Sequence, residues 1–229
     1  MEQKMQQSGP LTREQLKTPR AAAIAGILFS VLLAATLVLL HISAPAIPPK
    51  MQEWSAASEG TVVLALNLVP FAGIAFLWFI GVMRDRLGAY EDRFFATVFF
   101  GSGILFLAMF FAATAVAGAL ILVLNAAPKL MIESGAYAFG RAITAQIMNV
   151  FALKMAGVFM ISTATLAMRT HVLPRWITLP GYALAALLLL SSRFADWLPL
   201  VFPLWVLILS TYILIENLRW TSMGHSRVS

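Results

Sequence analysis

The 229-residue chain is 60% hydrophobic and 11% charged, with a mean hydropathy of +0.85. Soluble domains carry about 25% charged residues, so this composition excludes a soluble globular protein and indicates an integral membrane protein. The net charge of +6 is interpreted as basic loops facing anionic lipid rather than nucleic acid, and the absence of cysteine excludes disulfides, thiolate metal sites and cysteine nucleophiles.

Six apolar segments predict membrane spans, since a spanning helix needs about 20 residues. They cover residues 21–42, 61–83, 94–124, 143–168, 176–190 and 197–215. The first is longer than the apolar core of a signal peptide, about 7–15 residues, and is predicted to remain as an uncleaved span. The prediction is an all-α membrane protein: a cytoplasmic segment 1–20, a bundle of six transmembrane helices within 21–217, and a cytoplasmic tail 218–229.

Lysine and arginine predict the orientation of the chain. One side of the predicted membrane collects 11 of these residues and the other collects 4, with Lys154 left within a span. Because basic loops stay in the cytoplasm, this bias predicts that both termini are cytoplasmic, with the protein in the plasma (inner) membrane.

Lys154 is the ionisable residue that lies deepest in any apolar run. A charge at the centre of a membrane helix costs at least ~2.5 kcal/mol, so such a residue indicates either a site or a specific partner. No Asp or Glu lies within the central part of any predicted span. Three explanations remain open. Lys154 is a structural residue whose amine is neutral or is held by carbonyls and water; or it binds an anion or a substrate; or its side chain extends to the membrane surface.

Polar side chains near Lys154 predict a cavity. Gln146 and Asn149 share one broad face of the fourth predicted helix with Lys154. Polar residues within a span tend to face the interior of a bundle. The candidates for the other walls are Asn67, Thr114 and Tyr182.

Enzymatic chemistry is not indicated. The three histidines, His41, His171 and His225, lie at span ends or in the tail. The sequence contains neither a His-Glu-x-x-His metal motif nor a pair of buried aspartates. A retinal Schiff base on Lys154 would lack a counter-ion carboxylate and a seventh helix. We therefore predict a non-enzymatic protein without cofactor or metal.

Small residues recur along the third predicted span. Ala108, Ala112, Ala115 and Ala119 follow at spacings of four and three, which lets helix backbones approach closely. Two functions are compatible with these features. One is a small carrier or channel component with an anion-accepting cavity near Lys154. The other is a structural or regulatory subunit that packs against another copy or another membrane protein.

Three segments carry a resemblance to known proteins. They are residues 76–88 (FLWFIGVMRDRLG), 173–176 (LPRW) and 198–206 (LPLVFPLWV). Together they resemble a family of uncharacterised bacterial integral membrane proteins grouped under a domain of unknown function. The resemblance implies an inner-membrane protein of about six helices and implies no activity, cofactor or site residue.

Overall fold

The computed structural model describes residues 18–43, 56–87, 93–169, 173–190 and 197–225. The sequence predictions for residues 1–17 and 226–229, and for the connections 44–55, 88–92, 170–172 and 191–196, lie outside this part of the chain. The described residues form helices: α1 (Thr18–Ser43), α2 (Ala56–Leu87), α3 (Arg93–Ala126), α4 (Pro128–Glu133), α5 (Ala136–Gln146), a π-helical segment (Ile147–Ala152), α6 (Leu153–Arg169), α7 (Arg175–Leu190), a 3₁₀ turn (Leu198–Leu200) and α8 (Val201–His225).

The predicted all-α membrane class is confirmed for the described residues. Five helical stretches are long and apolar enough to cross a bilayer: Arg20–Ile42, Gly60–Arg84, Ala96–Ala126, Ala136–Arg169 and Leu198–Arg219. The sixth apolar helix, Arg175–Leu190, has 16 residues and is shorter. At about 1.5 Å per residue it is about 24 Å long, less than the ~30 Å hydrocarbon layer. The count of six crossings therefore stays a prediction.

The fourth helical stretch begins earlier than its predicted start at residue 143. Residues Ala136–Arg169 run as one continuous helix through α5, the π-helical segment and α6. Hydropathy marks only the apolar part of a helix. Residues 136–142, which include Arg141, are too polar for a hydropathy threshold but continue the same helix. The helix begins after Gly135, whose φ of 71° is a conformation that glycine adopts readily.

Arginines mark one end of the bundle, which we call the arginine end. Arg84, Arg169, Arg175 and Arg219 are exposed there, and the Arg20 Nε donates to Asn217 Oδ1 at 3.2 Å. This last bond joins the beginning of α1 to the end of α8, and the two helices pack together. The other end, where α3 ends and α5 begins, we call the distal end.

A layer of phenylalanines closes the middle of the bundle. Phe76 lies with its ring centroid 4.4 Å from that of Phe29, 5.4 Å from Phe106 and 5.4 Å from Phe159. Phe202 completes the layer, 4.7 Å from Phe106. All five side chains are fully buried. Along α2 and α6 the layer lies about 12–15 Å from the arginine end, near the middle of a bilayer.

Candidate functional site

The Lys154 amine is bound to the backbone of α7. Its Nζ donates a hydrogen bond to the Leu189 carbonyl, one residue before α7 ends. The last four carbonyls of a helix have no partner within the helix and carry a partial negative charge, which favours a cationic donor. Lys154 therefore caps the C-terminus of the short helix.

Gly157 brings α7 within reach of Lys154. A Cβ at Gly157 would lie 3.1 Å from the Ala185 carbonyl oxygen and 3.0 Å from Leu189 Cγ, so a side chain there would push α7 away. Lys154 is 15 residues from Arg169, or about 22 Å along α6. Leu189 is 14 residues from Arg175, or about 21 Å along α7. The two estimates agree that the cap lies inside the ~30 Å hydrocarbon layer, where an unpaired carbonyl is costly.

A cavity of about 260 Å³ lies at the distal end, between α1, α2, α3 and the fourth helical stretch. Its polar side chains all belong to that stretch: Tyr137, Arg141, Thr144 and Asn149. The remaining lining residues are apolar: Leu40, Val62, Ala117, Leu120, Ile121, Leu124, Ala145 and Met148. The cavity thus has one polar wall and otherwise apolar walls, and it is partly open.

The π-helical segment Ile147–Ala152 forms part of the cavity wall and leads into α6, which carries the Lys154 cap. A π turn holds more residues per turn than an α turn, and such interruptions recur at functional sites. Met148 and Asn149 within the segment line the cavity, whereas Lys154, two residues after it, faces α7. The π-helical segment therefore lies at the point where the polar side chains of this helix change direction, from the cavity to α7.

The other predicted cavity residues occupy separate places. Asn67 and Gln146 are exposed. The Thr114 hydroxyl donates within its own helix, to the Phe110 and Phe111 carbonyls at 2.9 and 3.0 Å. The Tyr182 hydroxyl is 2.7 Å from Thr165 Oγ1 and joins α7 to α6. Of the six predicted residues, Asn149 lines the distal cavity and the other five do not.

Comparison with protein-family models, with curated proteins and with solved structures finds no match to this chain. The resemblance to uncharacterised bacterial membrane proteins therefore stays a prediction. The assignment of function depends on the geometry of the bundle alone.

Arg141, Tyr137 and Thr144 are cavity residues that the sequence analysis did not select. The sequence predicts that Arg141 lies in a loop between two spans, because the apolar run starts only at Ile143. Continuing the helix backwards from Asn149 would have identified these residues. Thr144, Arg141 and Tyr137 precede Asn149 by five, eight and twelve residues, which places all of them on one side of the helix once the wider π turn is included. Within the described residues, no three His, Cys, Asp or Glu side chains lie close enough together to hold a metal.

The cavity offers hydrogen-bond donors to an anion. Asn149 has an amide NH₂, and the Arg141 guanidinium has five N–H donors in a planar fork that suits carboxylate or phosphate. Thr144 differs, because its hydroxyl already donates to the Gly140 carbonyl at 3.0 Å and keeps only lone pairs for a ligand. The arrangement therefore suits binding and orientation of an anionic amphiphile.

Proposed function

We propose that the protein is a small membrane carrier that accepts an amphipathic anion in the distal cavity. The observation that carries this proposal is the polar wall formed by Arg141, Thr144 and Asn149 in a cavity of an otherwise apolar bundle. The finer topology belongs to the same proposal: six crossings in a bacterial inner membrane, with both termini cytoplasmic. Its support is the excess of 11 basic residues against 4 on the two sides of the predicted spans.

The depth of the cavity favours access from the aqueous side. Asn149 is 20 residues from Arg169, or about 30 Å along the helix, and Arg141 is 28 residues away, or about 42 Å. A bilayer is ~30 Å thick in its hydrocarbon core and ~40–45 Å with head groups. On this estimate Arg141 lies beyond the hydrocarbon core, where an anion reaches it without crossing hydrocarbon.

The phenylalanine layer favours a carrier over an open channel. The rings of Phe76, Phe106 and Phe159 pack between the cavity and the arginine end, and they are buried. A continuous aqueous pore would need these rings to separate. A carrier needs only a transient rearrangement of the layer once the anion is bound.

Flux of benzenesulfonate into proteoliposomes of the full chain tests the proposal. This anion has about the size of the cavity, and its permanent charge prevents it from crossing lipid as a neutral acid. We expect protein-dependent uptake that falls at least about tenfold in Arg141→Gln, since a charge-assisted hydrogen bond contributes about 1.5–3 kcal/mol.

The matched control is Lys129→Gln. Lys129 is an exposed cation on α4 at the same end, and it does not line the cavity. Uptake by this variant is expected to equal that of the wild type. The carrier proposal fails if wild-type proteoliposomes take up no more benzenesulfonate than empty liposomes, or if both charge removals lower uptake equally.

The second candidate is a structural or regulatory subunit, favoured by the open face of α3. Ala108, Ala115 and Ala119 are exposed, and a Cβ built at Gly101 would meet nothing within 4 Å. Small residues on an open helix face let another helix approach closely. This candidate expects a stable partner, or a second copy, after gentle solubilisation. A monomer that transports on its own would contradict it.

A further inference from the structure

The walls of the distal cavity limit the kind of ligand that fits. Every polar lining side chain belongs to the fourth helical stretch, and the facing walls from α1, α2 and α3 are apolar. Apolar walls leave polar groups of a ligand unpaired, which costs about 1–3 kcal/mol for each group. A ligand therefore needs polar groups along one side only.

The volume of the cavity limits the size of the ligand. A cavity of ~150 Å³ accepts benzene, which has six non-hydrogen atoms. The distal cavity of about 260 Å³ thus accommodates roughly ten non-hydrogen atoms by proportion. A whole phospholipid is several times larger, so only part of one would fit.

The two strongest donors lie at opposite ends of the cavity. Arg141 and Asn149 are eight residues apart, or about 12 Å along the helix axis. Counted from the arginine end at the same rise per residue, Leu40 and Val62 lie at about the depth of Asn149, and Leu124 and Tyr137 lie near or beyond the depth of Arg141. Arg141 already has an interaction in the structure. Because its guanidinium has five N–H donors, it can bind a ligand in addition to that interaction.

We propose that the ligand is a linear monocarboxylate of about ten non-hydrogen atoms with a second hydrogen-bonding group at its far end. The carboxylate lies at Arg141, the apolar middle lies against Leu120 and Ile121, and the second polar group reaches Asn149. An extended chain of eight single bonds spans roughly 10 Å, which matches the separation of the two donors. This inference rests on the part of the proposed function that places an anion in the distal cavity. It does not require that the protein transports the anion.

Asn149 gives the inference its specificity. A plain alkyl tail would cover the Asn149 amide and leave it unsatisfied, while a terminal hydroxyl would pair with it. Arg141 alone would accept any carboxylate. The inner end of the cavity therefore selects among carboxylates of equal length.

Binding of octanoate and 8-hydroxyoctanoate to the full chain in phosphatidylcholine nanodiscs tests the inference. The two acids differ by one hydroxyl group at the far end. We expect 8-hydroxyoctanoate to bind about 3–10-fold more tightly, as one hydrogen bond predicts. Asn149→Leu is expected to abolish or reverse that preference while keeping octanoate binding, and Arg141→Gln to weaken both acids at least tenfold.

Two further samples distinguish the source of the anion and guard against misfolding. Arg141→Lys keeps the charge and is expected to bind both acids within about tenfold of the wild type. Nanodiscs with phosphatidylglycerol and no added acid report whether an anionic lipid occupies the site. Equal affinity for the two acids, a preference that persists in Asn149→Leu, or Arg141-dependent retention of phosphatidylglycerol with no acid binding would each overturn the inference. Binding as expected without benzenesulfonate flux would leave the ligand class standing and remove the carrier.

Discussion

Helix α3 and the fourth helical stretch have the same length and opposite surroundings. Each contains 34 residues, but 22% of the residues in an apolar 18-residue part of α3 are buried, against 61% in the corresponding part of the fourth stretch. The exposed helix is regular and almost entirely apolar. The fourth stretch contains the π-helical segment, the Lys154 cap and the polar wall of the distal cavity, and its burial is concentrated after the cavity wall, in residues 152–167.

This contrast follows from what each helix contacts. A helix that faces lipid must satisfy its backbone within itself, so it stays regular and apolar. A helix surrounded by others can carry polar groups and a local interruption, because neighbouring helices or a cavity supply partners. In this protein the polar groups therefore concentrate on the fourth stretch, where either a neighbouring helix or the cavity adjoins them, and they are sparse on α3.

The largest expected effect of this contrast concerns buried and exposed apolar side chains. Phe159 is fully buried, 4.8 Å from Phe99 and 5.9 Å from Phe202 between ring centroids. Phe→Ala in soluble cores costs about 3–5 kcal/mol. Separated helices remain in lipid, so part of this cost is absent. We expect Phe159→Ala to lower the free energy of unfolding by about 2–4 kcal/mol, measured by denaturant titration in mixed micelles.

The comparison variant is Leu105→Ala on α3, where Leu105 is 49% exposed. Its expected cost is below about 0.5 kcal/mol, as for most surface positions. Similar losses for the two variants would mean that α3 is covered by another chain. That result would favour the subunit over the carrier.

The next effect concerns Lys154. Lys154→Met removes the donor that the Leu189 carbonyl has within the described residues, inside the membrane. We expect a loss of about 1–3 kcal/mol in the free energy of unfolding, with faster amide hydrogen exchange in the last turn of α7. Lys154→Arg, which keeps a donor and a charge, should recover part of the loss. Unchanged stability together with lost benzenesulfonate flux would instead favour an anion site at Lys154, one of the three explanations that the sequence left open.

Much of the fold follows from hydropathy, because a membrane helix needs a long apolar run. The ends of the helices follow less well. The sequence placed a loop before residue 143, whereas α4 and α5 are helical there, because a helix that emerges into the head-group layer no longer needs apolar side chains. The short length of α7 was visible in the sequence, but the contact of its last turn with Lys154 required the structure.

The candidate site was less predictable than the fold for a specific reason. Face assignments along the fourth helix assumed about 100° per residue throughout, and the π-helical segment changes that angle between Asn149 and Lys154. The two residues therefore face different neighbours. Contacts between helices distant in sequence, such as Lys154 with Leu189, leave no signal in a single sequence.

The smallest expected effect compares two half-buried hydroxyl groups. Thr165 Oγ1 lies 2.7 Å from the Tyr182 hydroxyl and joins α6 to α7, while Thr114 bonds only to carbonyls of its own helix in the described structure. Hydrogen bonds between membrane helices contribute about 0.6 kcal/mol on average. We expect Thr165→Val to cost about that amount and Thr114→Val close to nothing, measured by the same titration.

A Tyr182→Phe variant closes the comparison. If the Thr165–Tyr182 bond carries the effect, the double variant should be no less stable than the less stable of the two single variants. Strict additivity would mean that each hydroxyl contributes through a different partner. Within the described residues α6 and α7 also meet at the Lys154 cap, so additivity would direct the next test of their polar contacts to that cap.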